Sequence, residues 1–278
     1  IPLRLVGSEM CIRDSMMLAG GIDWARLVIR DHGKRESTTR GDQIWATPIL
    51  DTRIERPGDD RVAVFSGRVQ DEQGKYNLNN LASHGVPQPE QEQVLRRLLA
   101  SLRLPDALAA RMLDIIVASQ PPAQPADAPT PAQGGQTPDA RAPQPRGIDD
   151  VAALLGLEPA VRNELRRTMT VLPLATNVNV NTAPPEVIAA LVPGLSLSQA
   201  RAITGERDRG NWFNNSGDFA NRLAATGVKT PTPAVVTASG WFIANGVVAY
   251  ERARVSMQAL IRSAPPAAPD TLWTRENP

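Results

Sequence analysis

Apolar positions along this chain change period several times, and each change marks an element. From Met16 to about Arg35, Leu18, Ile22, Ala25, Val28 and Ile29 recur near one face of a helix. From Ile49 to about Leu81 the period falls to two. Ala63, Phe65, Gly67 and Val69 alternate with Val62, Val64, Ser66 and Arg68, so a strand with one more apolar face is expected there. Pro57-Gly58-Asp59-Asp60 predicts a turn between that strand and an earlier one over Ile49–Ile54. Gln73-Gly74 predicts another turn, before Tyr76-Asn77-Leu78-Asn79-Asn80-Leu81. These asparagines suit side chains that cap backbone groups better than a polar ligand site.

Helical spacing then returns. Glu90 to Leu104 carries Val94, Leu95, Leu98, Leu99 and Leu102, and Asp106 to Ser119 carries Leu108, Met112, Leu113 and Ile116, with Pro105-Asp106 as the break. Gln120 to Arg146 is Pro, Ala, Gln and Gly without an apolar period, which predicts a flexible loop. Two further helices are expected over Asp149–Leu155 and Glu158–Thr170.

The stretch Asn177-Val178-Asn179-Val180-Asn181-Thr182 leads into a helix, a tight hairpin and a second helix. Thr182 is placed to cap the first helix, with Pro184 and Pro185 in its first turn, where a missing N–H costs little. Val187, Ile188, Leu191 and Val192 form its apolar stripe, and Pro193-Gly194 stops it. Ser196 and Gln199 have capping-box spacing for the next helix, whose inner face would carry Leu197, Ala200 and Ile203. Arg207-Asp208-Arg209-Gly210 ends it, Trp212-Phe213 follows as an aromatic plug, and a last helix is expected over Ser216–Ala225.

Near the C-terminus the period is two again. Asn245-Gly246 after Gly240–Ala244 is a strong hairpin signal. The partner strand, Val247 to Ile261, would keep Val247, Ala249, Ala253, Val255, Met257 and Ala259 on one face. The pattern as a whole predicts an α+β chain: an N-terminal helix and an antiparallel sheet interrupted by a large helical insertion. The expected boundaries are 16–46 for the helix and its connection, 47–82 and 237–263 for the two parts of the sheet, and 83–236 for the insertion. Residues 264–278, rich in Pro and Ala, are expected to be disordered.

Composition narrows the function. Thirty basic residues against 29 acidic give a net charge of +1, so no global field favours nucleic acid or anionic lipid. Aromatic residues make up 4 %, too few for single-strand stacking platforms. Cys11 is the single cysteine, which excludes an intrachain disulfide and a cysteine-rich metal site. It lies in Val6–Ser15, which reads as translated adapter or assembly sequence rather than a native leader, so residues 1–15 are set aside from the fold. No apolar run is long enough to span a bilayer. His32 and His84 stand alone, and no Gly-rich phosphate loop, Gly-x-Ser-x-Gly elbow or His-Glu-x-x-His is present. Asp149-Asp150 sits at a helix start, where the dipole favours carboxylates. Nothing points to an enzyme.

Two resemblances meet at Asn179-Val180-Asn181-Thr182-Ala183-Pro184-Pro185-Glu186 with its Pro193-Gly194 hairpin. One is to the helix-hairpin-helix modules of DNA-binding proteins. The other, with Val171-Leu172-Pro173 ahead of it, is to the large minor pseudopilin of bacterial type II secretion, the GspK type. Gly21–Leu27, Arg30-Asp31, Gly41–Pro48 and Ser66–Asp71 follow that second family in order, so the resemblance covers roughly Met16 to Arg262 apart from the loop. The DNA reading fits less well. The hairpin Pro193-Gly194-Leu195-Ser196-Leu197 lacks the second glycine of a phosphate-gripping turn. From Asn177 to Lys229, Arg201, Arg207, Arg209, Arg222 and Lys229 are nearly balanced by Glu186, Glu206, Asp208 and Asp218.

The GspK resemblance implies a pilin-like sheet with an inserted α-domain and no catalytic role. It implies a place at the tip of the secretion pseudopilus with two smaller minor pseudopilins, of the I and J types, and beyond them the major pseudopilin and the inner-membrane assembly platform. It implies an inner-membrane anchor ahead of Met16 and a periplasmic globular part, with no nucleic-acid partner. The helix face of Leu18, Ile22, Trp24, Ala25, Val28 and Ile29 is the expected partner contact. The structural motif is Asn177, Asn179, Asn181, Thr182, Pro193 and Gly194. Calcium, bound in that family by an acidic segment, does not carry over, because Asp127 and Asp139 are too few and too far apart for six or more oxygen ligands.

Overall fold

The computed structural model describes residues 3–56, 59–123, 139–228, 234–250 and 253–277. In chain order the elements are α1 (Leu3–Arg35), β1 (Ile49–Arg56), β2 (Asp59–Asp71), β3 (Tyr76–Asn77), β4 (Ala82–Ser83), β5 (Val86–Pro87), α2 (Pro89–Ser101) and α3 (Ala107–Ser119). There follow α4 (Ile148–Leu154), α5 (Pro159–Thr168), β6 (Met169–Thr170), β7 (Val178–Asn179), α6 (Pro185–Leu191), α7 (Leu197–Asp208) and α8 (Ser216–Ala224). The chain closes with β8 (Val235–Val236), β9 (Trp241–Tyr250), β10 (Ala253–Arg262) and β11 (Asp270–Asn277). It divides into two compact units, Ile1–Glu72 with Ala238–Pro278, and Gln73–Thr237. The α+β architecture with a helical insertion is therefore present. The insertion begins at Gln73, ten residues before the expected boundary, because Tyr76, Leu78 and Leu81 are buried in the helical core and not beneath the sheet.

The first unit is a five-stranded antiparallel sheet in the order β1-β2-β9-β10-β11, with α1 on one face. Leu18, Ile22, Ala25 and Ile29 are buried against Phe65, Val69, Phe242, Ala244, Met257 and Ile261. The helix runs from Leu3, so it starts well before the expected Met16 and takes in most of the segment set aside as a leader.

Three glycines let α1 approach the sheet. Gly67 and Gly246 are register partners on β2 and β9, and the Phe65 ring lies over them. A Cβ at Gly67 would come within 2.9 Å of Phe65 Cζ, and one at Gly246 within 3.1 Å of Leu18 Cδ2. From the helix side, a Cβ at Gly21 would sit 2.6 Å from Phe65 Cζ.

This packing corrects the hairpin expected at Asn245-Gly246. The pair lies inside β9, and the chain reverses between Tyr250 and Ala253, which face each other across the ladder. The glycine marks close approach of a neighbour, the other reason for glycine in a strand. Moving the turn shifts the phase of β9. Phe242, Ala244 and Val248 face the helix, and Val247 and Ala249 point the other way, whereas Val255, Met257 and Ala259 of β10 lie on the expected face. The disordered tail is corrected as well. Residues 270–277 form β11, whose Thr271-Leu272-Trp273-Thr274 is rich in strand formers, and only the Pro/Ala stretch before it makes the turn.

Among its described residues the second unit packs seven short helices around one core, with Leu95, Leu98, Leu99, Met112, Ile116, Ile188, Phe213 and Phe219 at 2 % exposure or less. Boundaries moved by a few residues: α2 stops at Ser101, and α5 stops at Thr168 because Met169-Thr170 pairs in parallel with Tyr76-Asn77. The loop expected over 120–146 is anchored at both ends. Gln120 Nε2 donates to the carbonyls of Asn79 and Ala82, and Ala142 N donates to Ala118 O. The middle of the expected flexible loop, residues 124–138, lies outside the described residues.

Adjacent glycines of α1 provide a test of the packing. Gly20 has nothing within 4 Å of an added Cβ, so Gly20→Ala should raise stability by about 0.5–1 kcal/mol through helix propensity. Gly21→Ala should lower it by about 1–3 kcal/mol, since Phe65 must leave its place. Urea titration of the two variants reads both signs.

Candidate functional site

The Asn177–Asn221 stretch folds as a helix-hairpin-helix-like unit, and its asparagines bind backbone. Asn181 is buried and acts as a two-ended clamp: its Nδ2 donates to Phe213 O at 2.8 Å, and its Oδ1 accepts from Phe213 N at 2.9 Å. Phe213 is thereby held with its ring edge-on to Phe219, centroids 5.2 Å apart. Asn179 Oδ1 accepts from Asn181 N at 3.0 Å, and Asn179 N donates to Gln73 O at 2.8 Å. Asn177 is exposed and enters through its carbonyl, which accepts from Gln73 Nε2. Further back, Asn77 Oδ1 accepts from Leu172 N and its Nδ2 donates to Leu174 O. Asn80 exchanges two bonds with the backbone of Thr176.

Thr182 is not the cap it resembles. The first helix starts at Pro185 with extended Pro184 before it, and Thr182 Oγ1 turns back to Asn179 O at 3.5 Å. The cause is the Pro-Pro pair: a residue before proline avoids the α region, so the helix cannot begin until Pro184 has been passed. Thr182 instead packs on Gly74, where a Cβ would meet its Oγ1 at 2.6 Å. Pro193 and Gly194 form the hairpin, with Gly194 at φ +83°, and the capping box of Ser196 and Gln199 is complete. Ala200 and Ile203 face the core, while Leu197 is half-buried.

Arginines, which carried no signal in the apolar pattern, hold this unit together. Arg207 is 5 % exposed. Its Nη1 donates to Val180 O at 2.9 Å and Ala183 O at 2.6 Å, pinning the end of α7 to the loop before α6. Arg222 donates to the carbonyls of Asn211 and Trp212, pairs with Asp218, and lies 4.8 Å from the Phe213 ring centroid. Arg97 Nε donates to Ala190 O near the end of α6, and Arg167 pairs with Glu186 at its start, 2.9 Å away. Burial alone would raise the Glu186 pKa, but the Arg167 hydrogen bond and a backbone N–H outweigh it and hold the carboxyl below its usual range.

As a DNA-binding hairpin the unit is poorly supplied. Of the basic residues assigned to it, Arg207 and Arg222 are committed to internal carbonyls; Arg201 and Arg209 are exposed, and Lys229 lies outside the described residues. Among the described residues, the hairpin lacks a second glycine and, of the basic residues assigned to the unit, Arg201 and Arg209 are the two left exposed, a sparse supply for a run of phosphates.

The expected partner face of α1 is corrected too. Leu18, Ile22, Ala25 and Ile29 are buried in the unit's own core, and Trp24 and Val28 pack half-buried against it. The outward side of α1 presents Met16, Asp23, Leu27 and Arg30. Phase alone could not distinguish a face reserved for a partner from one used by the molecule's own sheet. Among the described residues, no three His, Cys, Asp or Glu side chains are grouped so as to hold a metal ion.

The asparagine clamp has a measurable weight. Asn181→Ala leaves the Phe213 N–H and C=O buried without partners, and should cost about 2–4 kcal/mol. Asn177→Ala, at an exposed side chain, should cost under about 0.5 kcal/mol. Thermal unfolding of both variants tests the contrast.

Comparison with known proteins follows the same ground. Two family models, both described as type II secretion system (T2SS) protein K, match residues 74–174 and 178–238, which together make up most of the helical unit. Type II secretion system protein K of Pseudomonas aeruginosa strain PAO1 is 28 % identical over 276 residues, covering 94 % of this chain and 80 % of that protein. A chain from the crystal structure of the GspK-GspI-GspJ complex of the enterotoxigenic Escherichia coli type 2 secretion system superposes with a TM-score of 0.62. It is 15 % identical and covers 99 % of each chain, so it shows a shared fold. With adjoining family matches across the insertion and a relative aligned along nearly the whole length, this chain belongs to the type II secretion system protein K family.

Proposed function

We propose that the chain is a structural subunit, a minor pseudopilin at the tip of the type II secretion pseudopilus, which initiates assembly and caps it during export across the outer membrane. The observation that carries this reading is the insertion itself. A helical unit of residues 73–237 is spliced between two adjacent strands of a sheet that α1 packs against. A filament built by stacking subunits gives no room to such a bulk in its interior, whereas its end does. Arg207 and Asn181 in the helix-hairpin-helix-like unit are engaged in holding loops together.

The partners in this reading are the I- and J-type minor pseudopilins, supported by the fold shared with a chain of the GspK-GspI-GspJ complex. The major pseudopilin and the inner-membrane assembly platform lie next in the assembly. The globular part is periplasmic and the anchor sits in the inner membrane. Among the described residues no helix is long and apolar enough to cross a membrane. The reading assigns no enzyme activity and no nucleic-acid partner, and it carries no calcium site over from the family.

Mixing the purified soluble part with those of its I- and J-type partners and measuring mass by light scattering should give one complex in equal proportions. Leu27→Asp, on the exposed side of α1, should weaken it without unfolding the chain. Failure to form any complex, or open-ended polymerisation of this chain alone, counts against the tip assignment. Duplex DNA titrated at physiological salt should bind weakly and lose what binding there is as salt rises; tight binding abolished by Arg201→Glu would restore the helix-hairpin-helix alternative.

A further inference from the structure

Strand alternation that sets Ala63, Phe65, Val69, Ala244, Val248 and Met257 against α1 sends the residues between them to the opposite face of the sheet. Register rows cross that face. Arg53, Val64, Ala249 and Arg254 form one, Ser66, Val247 and Ser256 the next, and Arg68, Asn245, Gln258 and Arg275 another. Arg53 and Arg254 stand three strand spacings apart, as do Arg68 and Arg275, which is about 14 Å. Along β2 the two outer rows are separated by the step from Val64 to Arg68, about 13 Å of strand. Arginines therefore mark the corners of a frame, and the uncharged side chains inside it are half-buried.

The frame is short of counter-charge. Arg53, Arg68 and Arg254 are exposed, and none of them enters an ion pair among the described residues. Exposure is not the cause, since the exposed Arg35 and Arg167 pair with Asp31 and Glu164. Of the carboxylates described on this face, Asp51 at the β1 bulge accepts from Ser66 Oγ at 3.2 Å, and Asp270 stands opposite Arg262, beyond the frame. The floor is set by a ladder of amides. Gln258 Nε2 donates to Asn245 Oδ1 at 3.0 Å, and Asn245 Nδ2 donates to Gln70 Oε1 at 3.3 Å. Each amide is held by its neighbour, so it has little freedom left to lose when a ligand settles on it. Asn245 thus has a task in mid-strand on this face, as Gly246 has on the other.

We infer that this face is a docking surface for an extended acidic segment of a protein partner, with two carboxylates four residues apart. Such a segment spans about 13 Å between those residues and puts both side chains on one side, which matches the distance from Arg53 to Arg254. Every corner is a guanidinium, which grips a carboxylate through paired N–H groups. The small residues of the centre let a backbone lie flat, and the amides can bond to its peptide groups. A continuous run of phosphates would meet charge at the corners and none between them. The surface belongs to the sheet unit and does not depend on the assignment to a pseudopilus tip.

The test uses the full chain and a fluorescent peptide, Gly-Glu-Thr-Ser-Thr-Glu-Gly. Anisotropy at about 25 mM salt should show saturable binding that fades as salt passes roughly 150 mM. Arg53→Glu combined with Arg254→Glu should weaken it at least about tenfold. Arg30→Glu combined with Lys34→Glu makes the same change of charge on the exposed side of α1 and should leave affinity within about twofold. Arg53→Gln with Arg254→Gln, which adds no negative charge to the sheet, should give a smaller loss in the same direction, and circular dichroism checks that each variant is folded. A peptide with its two glutamates adjacent should bind less tightly, since it reaches one corner at a time. Absence of saturable binding, equal loss in the two Glu pairs, equal affinity for the two peptides, or tighter binding to phosphatidylglycerol vesicles through the same arginines would each overturn the inference.

Discussion

Buried backbone outside regular structure must find hydrogen-bond partners, and the helical unit is organised by that demand. Its longest described helices, α2 and α3, have 13 residues, so much of its chain runs in turns between short helices. Asparagine answers the need because one amide can donate and accept at once, copying a peptide group. Asn181 does so for Phe213, Asn80 for Thr176, and Asn77 for three separate backbone positions. A carboxylate of the same shape could only accept, and would be buried with its charge. Arg207 completes the scheme from the donor side, satisfying two carbonyls from a single nitrogen. Fold and charge are thereby linked: basic groups that hold loops together are not available to a polyanion.

The sheet unit meets a different constraint, that of distance. A helix seated on a sheet needs small residues where the two come closest, and here a phenylalanine ring occupies the gap between three of them. Phe65 lies over Gly67 and Gly246 and beneath Gly21. With Leu18, Ile22, Ala25 and Ile29 spent on the same contact, what residues 16–35 of α1 offer to anything outside is their opposite and more polar side.

Period and composition made the α+β order, the α1 face, the α2–α3 pair and the helix-hairpin-helix unit legible in the sequence, because each depends on local spacing. What depends on a distant neighbour was not legible. Asn245-Gly246 has the composition of a turn, and only the presence of Leu18 and Phe65 explains why it lies in mid-strand. Thr182 has the spacing of a cap and loses the role to the backbone restriction of Pro184-Pro185. Gln120 opens a low-complexity stretch, yet it ties α3 to the Asn79–Gly85 segment. β11 was hidden by the Pro/Ala residues in front of it. In the motif itself, the asparagines stood out as residue types, while Arg207 looked like any basic residue at a helix end.

The splice point between β2 and β9 bears on how the chain reaches its structure in time. Asp71 faces Phe242 across the ladder, and Glu72 N donates to Trp241 O at 2.9 Å, so the two strands register up to the point where the insertion leaves. Between them lie residues 73–237. Closing a flexible loop of that length costs roughly 4–5 kcal/mol of chain entropy before any pair forms. A folded insertion removes most of that cost, since Gln73 is already bonded to Asn179, and Val180 to Val236 beside the exit. Connectivity thus favours one order of events: an insertion that has already closed its own long-range contacts delivers β9 to β2 as though the two were joined by a short turn.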